Sequence, residues 1–132
     1  MSTTKYSLVM LVDDNELDNF INKKLVEADS FGGSTTIHTS AQSALTYLKN
    51  NGGSIELIPD LIFLDIMMPE MDGFGFLDEY EKLPDMVKSK CKIVMLSTSD
   101  SFKDLNRANQ NKYVKRFLNK PLNAQILAAL NI

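Results

Sequence analysis

Continuous apolar runs alternate along this chain with stretches in which apolar residues recur every three to four positions. Tyr6–Val12 is a continuous apolar run but for Ser7, and it stops at a pair of aspartates, as a strand buried on both faces would. Leu17, Phe20, Ile21, Leu25 and Ala28 then fall at helical spacing. The spacing predicts a helix capped by Asp14 or Asn15, with those five residues facing the core. Gly32-Gly33 is read as its end, and Thr35–His38 as a weak short strand. Thr39 with Gln42 has the form of a capping box and predicts a helix through Leu48. Asn50–Gly53 is a strong break. Leu61–Leu64 predicts a second buried strand ending on Asp65, and Pro69 and Gly73 force a loop before a helix near Phe74–Lys82. Lys92–Leu96 predicts a strand ending on Ser97. Asp100 or Ser101 would cap a helix to about Asn109. Val114–Leu118 predicts a fifth strand, and Asn123 caps a last helix that runs to the terminus.

Five strands each followed by a helix imply crossover connections and a parallel sheet with helices on both faces, an α/β fold. Neither a repeat nor a linker divides the 132 residues, so residues 1–132 are expected to form one domain. Hydrophobic residues make up 44%, which is enough for a core without disulfides. The net charge of −3 argues against a phosphate-backbone surface, so no direct nucleic-acid partner is expected. Cys91 and His38 are single residues of their types and cannot build a zinc site. The polar Met1–Lys5 stretch has no signal-peptide form, and no apolar run is long enough to span a bilayer. These features point to a soluble domain in a reducing, cytoplasmic compartment.

In doubly wound sheets the reactive groups gather at the carboxyl ends of the strands. Here those ends carry Asp13 and Asp14, Asp65, Ser97 and Lys120. Three carboxylates brought together would repel one another and favour a hard divalent cation such as Mg²⁺. A lysine opposite them suits phosphoryl oxygens, a hydroxyl adds a hydrogen bond, and a carboxylate can itself accept a phosphoryl group. Taken singly, each has an ordinary explanation: Asp13 and Asp14 as helix caps, Asp65 as a turn residue, Ser97 as a strand-end hydroxyl, Lys120 as a solvated charge. Met67, Met68 and Met71 are read as anchors of the loop on apolar surface, His38 as structural and Cys91 as an inert thiol.

Four stretches carry a resemblance: Leu11-Val12-Asp13-Asp14-Asn15, Leu61–Gly73 (LIFLDIMMPEMDG), Ile93–Ser97 (IVMLS) and Phe117–Pro121 (FLNKP). Their order and spacing are similar to those of response-regulator receiver domains of two-component signalling, the family of the chemotaxis receiver. The resemblance implies a flavodoxin-like (βα)5 domain with a five-stranded parallel sheet of order 2-1-3-4-5. It implies that Asp65 is the phosphoacceptor, supplied by a sensor histidine kinase or a histidine phosphotransfer protein. It further implies that Asp14 and Asp65 bind Mg²⁺, with Asp13 joining directly or through water and the Met67 backbone carbonyl completing the set. Lys120 would pair with the phosphoryl group, Ser97 would hydrogen-bond it, and Phe117 would turn inward behind Ser97. Lys120-Pro121 would be cis. A receiver is not a conventional enzyme, although it assists its own phosphorylation and dephosphorylation.

The chain departs from the family pattern at Thr98, where alanine or glycine is usual, in the basic run Tyr113-Val114-Lys115-Arg116, and in a short last helix. No output domain is expected, which implies action through contacts with a downstream protein. Two other functions are weighed. A Mg²⁺-dependent phosphatase of the haloacid-dehalogenase type would place its nucleophile in a DxD motif on the first strand, which this chain lacks. A docking-only pseudo-receiver has no need of the full set of charged residues.

Overall fold

The computed structural model describes residues 4–98 and 102–132. Five strands, β1 (Tyr6–Val12), β2 (Gly32–His38), β3 (Leu61–Asp65), β4 (Lys92–Ser97) and β5 (Val114–Asn119), form one parallel sheet in the order β2-β1-β3-β4-β5. Helices α1 (Glu16–Val26), α2 (Ala41–Asn50), α3 (Gly73–Tyr80), α4 (Asp85–Lys90), α5 (Phe102–Asn109) and α6 (Ala124–Ala129) fill the connections. This is the expected doubly wound, flavodoxin-like α/β fold. The central strands β1, β3 and β4 are buried on both faces, which is why they read as continuous apolar runs. Met10, Val12, Ile62, Leu64, Ile93 and Met95 pack toward α2, α3 and α4. Val9, Leu11, Leu61, Phe63, Val94 and Leu96 pack on the other face, against Val26 of α1 and Leu127 of α6.

Several local readings are corrected. Gly32 and Gly33 do not end a helix: they begin β2, paired with β1 from Tyr6↔Gly32. The chain leaves α1 through Asp29 and Ser30, both left-handed with φ of 54° and 61°. A Cβ on Gly32 would lie 2.7 Å from Val26 Cγ1, so the glycine lets β2 approach α1. The N-cap of α2 is Ser40, whose side chain accepts from Ser43 N–H, rather than Thr39. A 3₁₀ turn at Ile55–Leu57 and helix α4 were not anticipated. Asn15 caps α1 and Asn123 caps α6, although α6 stops at Ala129. The expected caps of α5, Asp100 and Ser101, lie outside the described residues.

The buried face of α1 is also not the anticipated one. Asn19, Asn22 and Val26 point inward, while Leu17, Phe20 and Ile21 are 65%, 58% and 46% exposed. A buried polar group needs a hydrogen-bond partner. Asn19 has one, donating through Nδ2 to the Asp13 carbonyl at 2.8 Å. The helix is turned by this bond at the strand end rather than by its apolar stripe.

Candidate functional site

Side chains alternate faces along a strand. Asp13 continues the row of Val9 and Leu11 on β1, and Asp65 continues that of Leu61 and Phe63 on β3. Because β1 and β3 are adjacent and parallel, both carboxylates emerge at the same sheet edge. Carboxylate oxygens of Asp13, Asp14 and Asp65 lie within 4.8 Å of one another. Asp13 and Asp65 are almost fully buried, whereas Asp14 is exposed.

Lys120 reaches this group from the end of β5. Its Nζ is 2.6 Å from Asp13 Oδ2, 3.1 Å from Asp18 Oδ2 and 3.5 Å from Asp65 Oδ1. The Lys120-Pro121 peptide is cis, as expected. Lys120 N–H donates to the Ser97 carbonyl at 2.9 Å, which ties the end of β5 to that of β4. Burial, together with the neighbouring Asp13 charge, pushes the Asp65 carboxyl up to about 6, against the pull of Lys120 and of the Met67 N–H. Burial alone would lower the Lys120 ammonium, but Asp13, Asp65 and Asp18 outweigh it and raise its pKa.

The loop after Asp65 shows why the sequence there is so restricted. Glu70 is left-handed with φ of 69°, and Gly73 N–H returns to the Ile66 carbonyl at 2.8 Å. A Cβ on Gly73 would stand 3.0 Å from both the Asp65 carbonyl oxygen and Ile66 Cα. Only glycine lets the start of α3 lie so close behind Asp65. Asp72 caps α3 by accepting from Gly75 N–H at 2.8 Å. Met68 and Met71 pack on the core as expected, but the Met67 side chain is exposed and anchors nothing.

The arrangement can hold a small hard cation. An octahedral Mg²⁺ with ligands at about 2.0–2.1 Å puts opposite oxygens roughly 4 Å apart. The carboxylate oxygens of Asp13, Asp14 and Asp65 would draw together on such an ion, and their excess negative charge supplies the attraction.

A sequence profile for the response regulator receiver domain matches residues 9–131. The chain belongs to the response regulator receiver domain family. The chemotaxis protein CheY of Bacillus subtilis is 27% identical to this receiver over 124 residues, covering 93% of each chain. The probable methanogenesis regulatory protein FilR2 of Methanothrix harundinacea is 29% identical over 120 residues, covering 91% of this chain and 76% of its own. The crystal structure of a two-component response regulator from Cytophaga hutchinsonii superposes with a TM-score of 0.85 at 26% identity, covering 93% of this chain and 92% of that one. Receiver domains are two-component signalling proteins rather than classical enzymes. They partner with histidine kinases or phosphotransfer proteins and bind Mg²⁺ at an acidic pocket, of the kind Asp13, Asp14 and Asp65 form here.

The receiver fold thus brings together Asp13, Asp14, Asp65 and Lys120. Ser97 is fully buried at the end of β4, one residue beyond Leu96, which pairs with Asp65. Phe117 pairs with Met95 and is half-buried against the α2–α4 side of the core. Asp18 was missed as a member of the site; its signal was its place one helical turn after Asp14 on a helix that starts at the strand end. His38 engages Ser43 Oγ and Thr36 Oγ1 through its two ring nitrogens, and its ring lies tilted against that of Tyr47. Cys91 is buried, with its thiol pushed up to about 12 by burial. Both fit structural roles. Among the described residues, no helix is long and apolar enough to cross a membrane.

Proposed function

We propose that this chain is a cytoplasmic response regulator receiver, one receiver domain over residues 1–132. In this reading Asp65 accepts a phosphoryl group from the phosphohistidine of a sensor kinase or phosphotransfer protein. The observation that carries the reading is the Lys120 ammonium set between Asp13 and Asp65 beside a three-carboxylate cluster. An Asp65 oxygen attacks phosphorus, the P–N bond to the donor imidazole breaks, and its electron pair stays on the imidazole nitrogen. Lys120 swings from Asp13 toward the phosphoryl oxygens. Asp13, Asp14, Asp65 and the Met67 carbonyl would hold Mg²⁺, which when bound neutralises charge on the carboxylates and phosphoryl oxygens. Water attack on the acyl phosphate later releases phosphate and restores Asp65.

The Ser97 hydroxyl hydrogen-bonds the phosphoryl group, and Phe117 fills space behind it, giving two packed states of β4, β5 and their helices. Output is a change of contacts with a downstream protein, with Lys115 and Arg116 of β5 exposed on that side. A donor protein must reach Asp65 past α1, where Leu17, Phe20 and Ile21 offer an exposed apolar ridge for it to cover. Intact-mass analysis and peptide mapping after acetyl phosphate treatment test the assignment. Labelling is expected on Asp65 alone and only with Mg²⁺; undiminished labelling of Asp65→Asn would overturn it.

A further inference from the structure

Lys120 has three N–H donors, and its carboxylate partners are unequal. It donates to Asp13 Oδ2 at 2.6 Å and to Asp18 Oδ2 at 3.1 Å, while Asp65 Oδ1 stands off at 3.5 Å. Asp18 lies outside the cluster formed by Asp13, Asp14 and Asp65. Its aim has a local cause. Asp18 is the third residue of α1, where an acidic side chain ordinarily turns back to the N-cap N–H. Here the Asn15 N–H already donates to Asp13 Oδ1 at 2.9 Å. The Asp18 carboxylate is thereby left to reach across to Lys120. Asn15 Oδ1 accepts from Asp18 N–H at 3.0 Å, which fixes the turn that presents it. Asp18 and Lys120 line a pocket of about 230 Å³ together with Asn22, Thr98 and Pro121, so the lysine has room to move.

We infer that Asp18 is a positioning residue that tethers Lys120 to α1 and weakens the site's attraction for an incoming anionic phosphodonor. The inference rests on Asp65 being the phosphoacceptor. When Asp13 is drawn toward a cation, Asp18 remains the counter-ion that holds Lys120 away from Asp65. A phosphodonor must win the lysine from Asp18 and also meets the negative charge of Asp18 itself. With acetyl phosphate, an Asp65 oxygen bonds to phosphorus, the bond from phosphorus to the acetyl oxygen breaks, and acetate leaves with the electron pair. No proton is required, so the electrostatic balance around Lys120 bears directly on the rate. The Asp18 side chain is 38% exposed, so solvent screens part of its effect. The effect is therefore several-fold rather than orders of magnitude.

The test compares wild type, Asp18→Asn and Asp18→Glu for the second-order rate constant of Asp65 labelling by acetyl phosphate, at Mg²⁺ saturating for each. Asp18→Asn is expected to react about 3- to 10-fold faster, and the advantage should shrink as salt is raised. Asp18→Glu, which keeps the charge, should stay within about twofold of wild type. A structural role alone would move the melting temperature without this pattern. An unchanged or slower Asp18→Asn, or an equal acceleration in Asp18→Glu, overturns the tether while leaving Asp65 as acceptor. A wild type that is not labelled on Asp65 overturns both.

Discussion

At Asp65 two influences oppose each other: burial beside Asp13 disfavours its charge, and Lys120 favours it. The first wins, since the carboxyl sits at about 6 against an ordinary value of 3.8. The native state therefore keeps a proton that the unfolded chain gives up. In metal-free protein, stability should fall as pH rises from about 4 to about 6 and then level off. The shift corresponds to a loss on the order of 2–3 kcal/mol. Asp65→Asn should lack this fall and be the more stable protein at pH 7.5 in EDTA, as urea titrations at several pH values would show. Asp13→Asn should behave oppositely. Its carboxylate is the nearest partner of Lys120, so its loss removes the shortest ion pair of a half-buried ammonium, leaving it the more distant Asp18 and Asp65, and lowers stability. Asp14 is exposed, and removing its charge should move the metal-free melting temperature little. Three carboxylates that look equivalent along the chain thus carry different energetic roles, set by burial and by the reach of one lysine.

At the level of elements, two features position the site. The turn from β3 into α3 depends on Gly73, because a Cβ there would press on the Asp65 carbonyl, Ile66 Cα and Met95 Cε. Gly73→Ala should cost about 1–3 kcal/mol by overpacking and slow the labelling of Asp65, since one of the colliding atoms is its own carbonyl oxygen. Chemical denaturation and acetyl phosphate labelling measure the two effects separately. Helix α1 is the second feature. Its apolar ridge of Leu17, Phe20 and Ile21 supports no core. Phe20→Glu should change stability by no more than about 0.5 kcal/mol. It should leave acetyl phosphate labelling intact and impair transfer from a phosphorylated donor protein. Equal transfer to Phe20→Glu and wild type would remove α1 as the donor's landing surface.

For the whole molecule, the sheet edge couples a charged cluster to global stability. A cation that binds only the folded chain stabilises it by RT ln(1 + [L]/Kd), about 1–3 kcal/mol for a 10- to 100-fold excess over Kd. Thermal melts in EDTA and in millimolar Mg²⁺ should show this rise, and Asp65→Asn should show a smaller one. Absence of any Mg²⁺ shift in wild type would mean that Asp13, Asp14 and Asp65 do not act as one cation site. Ser97 and Phe117 lie on neighbouring strands, β4 and β5. Hydrogen exchange with and without beryllofluoride should therefore change from Ser97 to Phe117 as well as at the carboxylates. A change confined to Asp13, Asp14 and Asp65 would leave the domain without a switch.

Sequence alone sufficed for β1, β3 and β4. A strand buried on both faces must be apolar throughout, so Tyr6–Val12, Leu61–Leu64 and Lys92–Leu96 could be read nearly to the residue. The chemistry at their ends was legible for the same reason, because a polar residue that closes such a run sits at the sheet edge. Tertiary structure decided how α1 is turned. Apolar periodicity put Leu17, Phe20 and Ile21 inside. The Asp13 carbonyl is instead met by Asn19, which turns that ridge outward. It also decided that Gly32 and Gly33 belong to β2, where the close approach of Val26 makes a side chain on Gly32 the obstacle. The partnership of Asp18 with Lys120 spans 102 residues and depends on which hydrogen bond the Asn15 N–H has already made. Hydrophobic pattern reports how each segment meets water, so it finds buried strands. Hydrogen bonds between strand ends and helix starts are settled only once the elements meet, and here those bonds orient the helix and the lysine at the site.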